Sequence, residues 1–218
     1  MFYRIRNYLF PPKCVLCHKL LEKDETDLCA NCREKAPIAT KTNFKFSFVA
    51  DYVAVWYYKD DVRSSLLRFK FAGRRSYAAV YGKLLAMKLQ TARKDDFDVL
   101  TWVSTGMRRS WRRGYDHAKL IAQAVAKELD VPLVKTLRKI RHTPPQSTLK
   151  NAAERRANIL GAYKVLDRNV VAGKKLLLID DIITTGATAS ECARMLMSAG
   201  AKSVTFAAVA VANDHTKK

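Results

Sequence analysis

Residues 176–188, LLLIDDIITTGAT, constrain the fold more than any other part of this 218-residue chain. An apolar run typical of a buried strand ends in two carboxylates, Asp180 and Asp181, and a short turn then opens a predicted helix. Ligands of open α/β sheets bind at such an edge, and free N–H groups at a helix N-terminus bind phosphate. An ordinary strand–turn–helix would account for only one acid and one threonine. The segment therefore predicts a phosphate-binding loop that consists of Thr184, Thr185, Gly186, Ala187 and Thr188.

Strand-like and helix-like segments alternate along most of the chain. The predicted strands cover residues 46–58 (a strand or a hairpin), 97–104, 131–135, 161–166, 175–180 and 203–212. The predicted helices cover residues 60–71, 76–92, 116–129 and 187–199, and the first of them is expected to turn Leu66, Leu67 and Phe71 inward. Continuous apolar strands between helices are typical of an α/β protein with a doubly wound, mainly parallel sheet.

Four of the five cysteines form two Cys-x-x-Cys pairs, Cys14 with Cys17 and Cys29 with Cys32. Each pair can form a tight knuckle, and two knuckles complete a tetrahedral sulfur site for zinc. Two disulfides would need an oxidising compartment, and a redox pair would not need four cysteines. We therefore predict a structural zinc ion in an N-terminal module, residues 1–40, followed by a second domain, residues 41–218.

Forty Lys and Arg residues stand against twenty Asp and Glu residues, which gives a net charge of +20. Such an excess suits phosphate-rich ligands, above all nucleic acid, although it also serves solubility alone. Guanidinium groups bind phosphate with two parallel hydrogen bonds. The arginines after the 97–104 strand are therefore expected to bind a pyrophosphate, a nucleic-acid backbone, or both in turn; a solvated charged face is the alternative. They are Arg108, Arg109, Arg112 and Arg113.

The sequence contains no run of the roughly 20 apolar residues that a membrane-spanning helix needs. Its first residues lack the apolar core and cleavage site of a signal peptide. We therefore expect a cytoplasmic protein with no membrane insertion. Residues 139–158 are basic and contain two prolines, and they are interpreted as a mobile lid.

The 176–188 segment resembles the phosphoribosyl-pyrophosphate motif of type I phosphoribosyltransferases. Two further segments narrow the resemblance: residues 108–117 (RRSWRRGYDH) and residues 138–146 (RKIRHTPPQ), the second with Arg155, Arg156 and Asn158 downstream. Together with the cysteine module, they resemble the ComF family of competence, or DNA-uptake, proteins over roughly residues 10–212.

The resemblance implies a type I phosphoribosyltransferase-like fold in which Asp180 and Asp181 hold the ribose 2′- and 3′-hydroxyls and are the candidate catalytic residues. It implies that residues 184–188 hold the 5′-phosphate and that Mg²⁺ is carried mainly by the pyrophosphate. Arg108 is expected to bind the same ligand. The residues expected to bind nucleic acid are Arg108, Arg109, Arg112, Arg113 and Arg141.

Two main functions are consistent with these features. The first is a ComF-like competence accessory protein that binds phosphoribosyl pyrophosphate and single-stranded DNA and assists DNA uptake, together with proteins of the uptake machinery. The second is an active phosphoribosyltransferase with a nitrogen acceptor, either a nucleobase or an amine, although no segment specifies an acceptor pocket. A third function, a ligand-sensing regulator that binds RNA, predicts a preference for RNA over DNA.

Overall fold

The computed structural model describes residues 11–40, 46–92, 96–106, 114–144 and 148–212. Within these ranges, no helix combines the length and apolar character needed to cross a membrane.

A four-stranded parallel sheet forms the centre of the described fold. Its strands are β1 (Asp51–Tyr57), β2 (Val99–Trp102), β5 (Lys175–Ile183) and β6 (Ser203–Val211). The order across the sheet is β1-β6-β5-β2, and every neighbouring pair is parallel. β6 lies between two strands and is covered on both faces, which explains its nearly continuous apolar sequence. The sheet confirms the predicted parallel α/β class.

Helices cover both faces of this sheet. The described helices are α1 (Ala30–Lys35), α2 (Asp60–Phe71), α3 (Tyr77–Thr91), α4 (His117–Leu129), α5 (Ala152–Ile159) and α6 (Ala187–Ser198). Of these, α3 and α4 lie on one face of the sheet and α6 lies on the other. Along β5, Leu177 packs into the cluster on the α3 and α4 side, whereas Leu176 and Leu178 pack into the cluster on the α6 side. This alternation follows from the two-residue period of a strand. The four predicted helices agree with the observed ones within one residue at each end.

β1 begins at Asp51, five residues after the predicted start of that strand. Two other predicted strands differ from the observed ones in their pairing. Tyr163–Val165 forms β4, but it pairs antiparallel with β3 (Leu137–Lys139) in a separate two-stranded sheet. In each of these short strands the first residue is buried and the second is exposed, so only one face of the small sheet packs on the core. Residues 131–135 form no full strand: Leu133 makes one parallel bridge to Leu100, since Pro132 has no N–H to extend the ladder.

The inward face of α2 also differs from the prediction in one residue. Leu66 and Phe69 are fully buried and Leu67 is half-buried, but Phe71 is 65 % exposed. Phe71 lies two residues beyond Phe69, which rotates it by about 200° around the helix axis. The inward positions are therefore Val62, Leu66 and Phe69, and the expectation for Phe71 was wrong.

The cysteine module packs directly on α2 and α3. Val15 and Leu16, in the first knuckle, are buried in the same cluster as Leu66, Phe69 and Tyr81. At the module's surface, Lys83 of α3 forms an ion pair with Asp27 at 3.1 Å. At the end of the module, the backbone N–H of Ala39 donates to the carbonyl of Val55 in β1 at 2.9 Å, so this stretch already lies along the edge of the sheet.

Candidate functional site

A cavity of about 360 Å³ opens at the carboxyl ends of β2 and β5. Its walls come from the end of α2, residues 103–106, the start of α4, the β3–β4 sheet, and the end of β5 with the loop that follows it. This is the edge at which open α/β sheets bind their ligands. The cavity therefore brings segments from most of the second predicted domain to one place.

Asp180 and Asp181 both line this cavity. The backbone N–H of Asp181 donates to Asp180 Oδ1 at 2.8 Å. Burial, and next the charge of Asp181, hold the pKa of Asp180 well above its usual range. β5 continues three residues past the predicted end because Ile182 and Ile183 still pair with β6. The two acids thus lie on a rigid strand, where hydroxyl donors or a cation would offset their repulsion.

Lys70 supplies a positive charge beside the acid pair. Its Nζ lies 2.8 Å from Asp181 Oδ2, and the two side chains are 19 % and 13 % exposed. Lys70 was not among the predicted site residues. The helical pattern places it on the same face of α2 as the predicted inward residues, because it lies four residues after Leu66 and three after Leu67.

The predicted phosphate loop lies along the next wall. Gly186 has a left-handed backbone, with φ of 71°, and directly precedes α6 without a side-chain cap. The first backbone N–H groups of a helix have no acceptor within the helix. At the start of α6 these groups are therefore able to donate to a ligand bound by the loop. Thr184 and Thr188 line the large cavity, and a small cavity of about 30 Å³ runs along Asp180 and residues 182–189. All five predicted loop residues therefore lie together beside the acid pair.

The β3–β4 sheet contributes Lys139 and Tyr163 to the cavity wall, and neither was among the predicted site residues. Lys139 Nζ donates to Thr143 Oγ1 at 2.7 Å and lies 5.7 Å from the centroid of the Tyr163 ring. Next to them, Thr105 Oγ1 is buried and has no hydrogen-bond partner among the described residues. A buried hydroxyl in a cavity wall is suited to bind a ligand. Lys70 and Lys139 thus place positive charge on two sides of the cavity.

The predicted arginines are only partly described. Arg108, Arg109, Arg112 and Arg113 lie outside the described residues. Arg141 is exposed, and its Nη2 donates to the backbone oxygens of Asn158 at 3.0 Å and Leu160 at 2.7 Å. These contacts hold the end of α5, so Arg141 has a structural partner whether or not it also meets a nucleic acid.

The four cysteines of the N-terminal module form one cluster. Their sulfur atoms all lie within 4.8 Å of one another, and the sulfurs of Cys17 and Cys29 are 3.7 Å apart. Four sulfurs about 2.3 Å from a tetrahedral zinc ion would be separated by about 3.8 Å, so the donor set fits this metal. Although burial raises the pKa of the Cys14 thiol, backbone hydrogen bonds lower it below the usual value overall. The cluster is suited to a closed structural site.

The chain matches two known domain families. Residues 117–218 match the Phosphoribosyl transferase domain, and residues 5–42 match the Double zinc ribbon domain. The observed sheet and cysteine cluster agree with both matches. The fold is therefore a parallel-sheet, type I phosphoribosyltransferase-like fold with an N-terminal zinc ribbon, and the matched ribbon supports structural zinc at the cysteine cluster.

Two curated relatives are similar over most of their length. Competence protein F of Haemophilus influenzae is 24 % identical over 215 residues, which cover 88 % of this chain and 93 % of that protein. DNA utilization protein YhgH of Salmonella typhi is 28 % identical over 181 residues, which cover 81 % and 74 %. Among solved structures, glutamine phosphoribosylpyrophosphate amidotransferase of B. subtilis is 23 % identical, with a TM-score of 0.45. That match covers 64 % of this chain and 30 % of the amidotransferase chain, so this chain spans less than a third of it.

Proposed function

The chain belongs to the ComF family, and on that basis we propose that it is a competence accessory protein that binds phosphoribosyl pyrophosphate and single-stranded DNA. The names of its relatives, Competence protein F and DNA utilization protein YhgH, support the biological role. We place the protein in the cytoplasm, where it would act with proteins of the DNA-uptake machinery. The division into a zinc module, residues 1–40, and a ligand-binding domain, residues 41–218, is part of the proposal.

The observation that carries the ligand proposal is the position of the acid pair and the phosphate loop on one cavity. In the proposed complex, Asp180 and Asp181 accept hydrogen bonds from the ribose 2′- and 3′-hydroxyls. The loop of residues 184–188 receives the 5′-phosphate at the N-terminus of α6. Lys70, Lys139 and Arg108 are the cations proposed for the pyrophosphate.

Mg²⁺ fits this site through the chemistry of its donors, because oxygen atoms of carboxylates and phosphates are its preferred ligands. In the proposal the pyrophosphate carries most of the coordination, and water molecules connect the ion to the acid pair. The ion would neutralise phosphate charge. Burial and the charge of Asp181 raise the pKa of Asp180, and a cation bound beside the pair would act in the other direction and favour its ionised form.

The ligand proposal is tested by calorimetric titration of the protein with phosphoribosyl pyrophosphate and Mg²⁺. Asp181→Asn should weaken binding by at least about tenfold, the usual cost of losing a hydrogen bond to a charged group. Asp96→Asn is the matched control, because Asp96 pairs with Lys175 at the opposite end of β5. No binding to the unmodified protein, or equal losses in the two variants, would contradict the proposal.

The DNA proposal rests on the net charge of +20 and on the arginines at positions 108, 109, 112, 113 and 141. A protein that neutralises several phosphates loses affinity steeply as salt rises, because counterions are released on binding. The aromatic residue Trp111 lies among these arginines, and stacking of bases on such rings is common in single-strand binders.

Fluorescence anisotropy of labelled single-stranded DNA across a salt series tests this part. The double variant Arg109→Glu and Arg112→Glu should weaken binding strongly and flatten the salt dependence. The control is Arg168→Glu, since Arg168 holds Ser198 at the far end of α6. Displacement of DNA by phosphoribosyl pyrophosphate would indicate a shared site. Equal affinity of the double variant and the unmodified protein would contradict the arginine interface, and a preference for RNA would favour the regulator.

A second candidate function is an active phosphoribosyltransferase. It is favoured by the apolar residues Leu67, Phe71 and Ile159, which line the cavity together with the acid pair and can pack against a planar base. In that reaction the acid pair would stabilise positive charge on the ribose as pyrophosphate leaves. Pyrophosphate release across a panel of nucleobases and amines tests this function. Ligand binding without release from any acceptor would leave the accessory role.

A further inference from the structure

The last turn of α2 connects three parts of the protein through successive residues. Arg68 Nη2 donates to the backbone oxygen of Leu16 and lies 3.5 Å from that of Val15, both in the first cysteine knuckle. The Phe69 carbonyl accepts a hydrogen bond from the Tyr115 hydroxyl. Lys70 then forms the ion pair with Asp181 at 2.8 Å. Three adjacent residues thus bind the zinc module, the segment before α4 and the acid pair.

A second contact fixes the same helix on the knuckle. Ser65, three residues before Arg68, donates from its hydroxyl to the Val15 carbonyl and lies 2.6 Å from the Tyr81 hydroxyl. Leu16, Leu66 and Phe69 are at most 1 % exposed and belong to the same packed cluster. The knuckle carbonyls lie between Cys14 and Cys17, so their positions depend on the cluster that the cysteines form.

Because α2 is a continuous helix, these contacts connect the zinc module to the ligand cavity. Arg68 and Lys70 are two residues apart and therefore point to nearly opposite sides of α2. One side faces the zinc module and the other faces the ligand cavity. Because a packed helix moves as a unit, a shift that breaks the Arg68 contacts also moves Lys70 relative to Asp181.

We propose that Arg68 is a positioning residue of the ligand site: it anchors the end of α2 to the first cysteine knuckle and so holds Lys70 against Asp181. The zinc module is thereby part of the architecture of the ligand site. The effect on phosphoribosyl pyrophosphate rests on the proposed function, whereas the effect of Arg68 on Lys70 does not.

The test compares Arg68→Met with Arg68→Lys, which keeps a donor for the knuckle carbonyls. Ser65→Ala is a milder variant, which removes the hydrogen bond from Ser65 to the Val15 carbonyl. It replaces Arg68→Met in the test if Arg68→Met does not fold. Lys83→Met is the matched control, since it breaks the Lys83–Asp27 pair between the module and α3, away from the cavity. Zinc content per chain is measured in every variant, so that loss of the metal is recognised.

The first readout is the rate at which an acylating reagent modifies Lys70, followed by peptide mass spectrometry. Lys70 should react slowly in the unmodified protein and in Lys83→Met, and its rate should rise several-fold in Arg68→Met while zinc is retained. Arg68→Lys should restore much of the protection. An unchanged Lys70 rate in a folded, zinc-loaded Arg68→Met or Ser65→Ala protein overturns the inference.

The second readout is the affinity for phosphoribosyl pyrophosphate with Mg²⁺. It should fall about tenfold in Arg68→Met and recover in Arg68→Lys, because small displacements of positioning groups have large effects. Faster Lys70 labelling with unchanged affinity would overturn the link to the ligand. If the unmodified protein does not bind phosphoribosyl pyrophosphate at all, both the proposed function and the effect of Arg68 on ligand binding are wrong. The labelling rates still decide whether Arg68 positions Lys70.

Discussion

The ring of Phe46 lies directly against Gly186: a Cβ atom at residue 186 would be 2.1 Å from ring carbons Cδ1 and Cε1. Phe46 is fixed in turn by Tyr52, with ring centroids 5.0 Å apart, and by Phe206 at 6.5 Å. Gly186 also has a φ of 71°, a region that favours glycine. The predicted phosphate loop therefore needs glycine at residue 186 for two separate reasons, its backbone conformation and the close approach of an aromatic ring.

Gly186→Ala should lower the free energy of unfolding by about 1–3 kcal/mol for the left-handed backbone, with a further loss for the displaced ring. It should also weaken binding of phosphoribosyl pyrophosphate, because the loop cannot keep its shape. Gly173→Ala is the matched control, since Gly173 has the same φ of 71° but nothing within 4 Å of a Cβ. Urea unfolding and calorimetric titration measure both effects. Equal stability losses in the two variants would show that the Phe46 contact contributes nothing.

Asp180→Asn should stabilise the protein at neutral pH while it weakens ligand binding. Between the unfolded and the raised folded pKa of Asp180, the folded state keeps a proton that the unfolded state has lost. The free energy of unfolding therefore falls as the pH rises from the unfolded pKa to the folded pKa of Asp180, and it stays lower at every pH above the folded pKa. Asparagine removes this dependence.

Thermal unfolding at pH 5 and at pH 8 measures the effect of Asp180→Asn. The gain in Tm should be larger at pH 8, and in a protein of this size each kcal/mol corresponds to about 2–4 °C. A gain that is larger at pH 5, or a loss at pH 8, would show that burial of Asp180 carries no charge penalty.

The candidate site residues that the structure brings together as expected follow one another along the chain. Asp180 and the loop that ends at Thr188 follow each other along one strand–turn–helix unit, so local pattern is sufficient to bring them together. The same holds for the two Cys-x-x-Cys knuckles, because each knuckle is a local turn and the metal chemistry supplies the pairing between them.

Three site residues that were not predicted come from distant segments of the chain. Lys70, Thr105 and Lys139 lie more than forty residues from Asp180, and only the strand order and helix packing bring them to the cavity. Of the β3–β4 sheet, the strand at 161–166 was predicted, but β3 and the antiparallel pairing were not, because a strand of three residues is too short for a clear period. Which side chains from distant segments meet at one cavity depends on such tertiary contacts more than on the local sequence pattern.

Cys32→Ser should release the metal and lower the midpoint of thermal unfolding, because the buried Cys32 completes the four-sulfur cluster. Cys192→Ala is the control: Cys192 is fully buried in α6 and lies outside the cluster. It should keep one zinc ion per chain and lose about 1 kcal/mol from a small cavity. Elemental analysis and thermal unfolding measure both quantities. Full zinc content in Cys32→Ser would contradict a four-cysteine site.

Lys139→Met should weaken binding of phosphoribosyl pyrophosphate by about tenfold, which corresponds to about 1.4 kcal/mol. Lys139 lines the cavity, and in the proposed complex it is one of the cations that meet the pyrophosphate and not the 5′-phosphate. The loss should accordingly be smaller for ribose 5-phosphate, which has no pyrophosphate. Lys164→Met is the control, because Lys164 lies on β4 of the same small sheet but is exposed. Equal losses for both ligands would place Lys139 on the 5′-phosphate side, and no loss for either would remove it from the binding site.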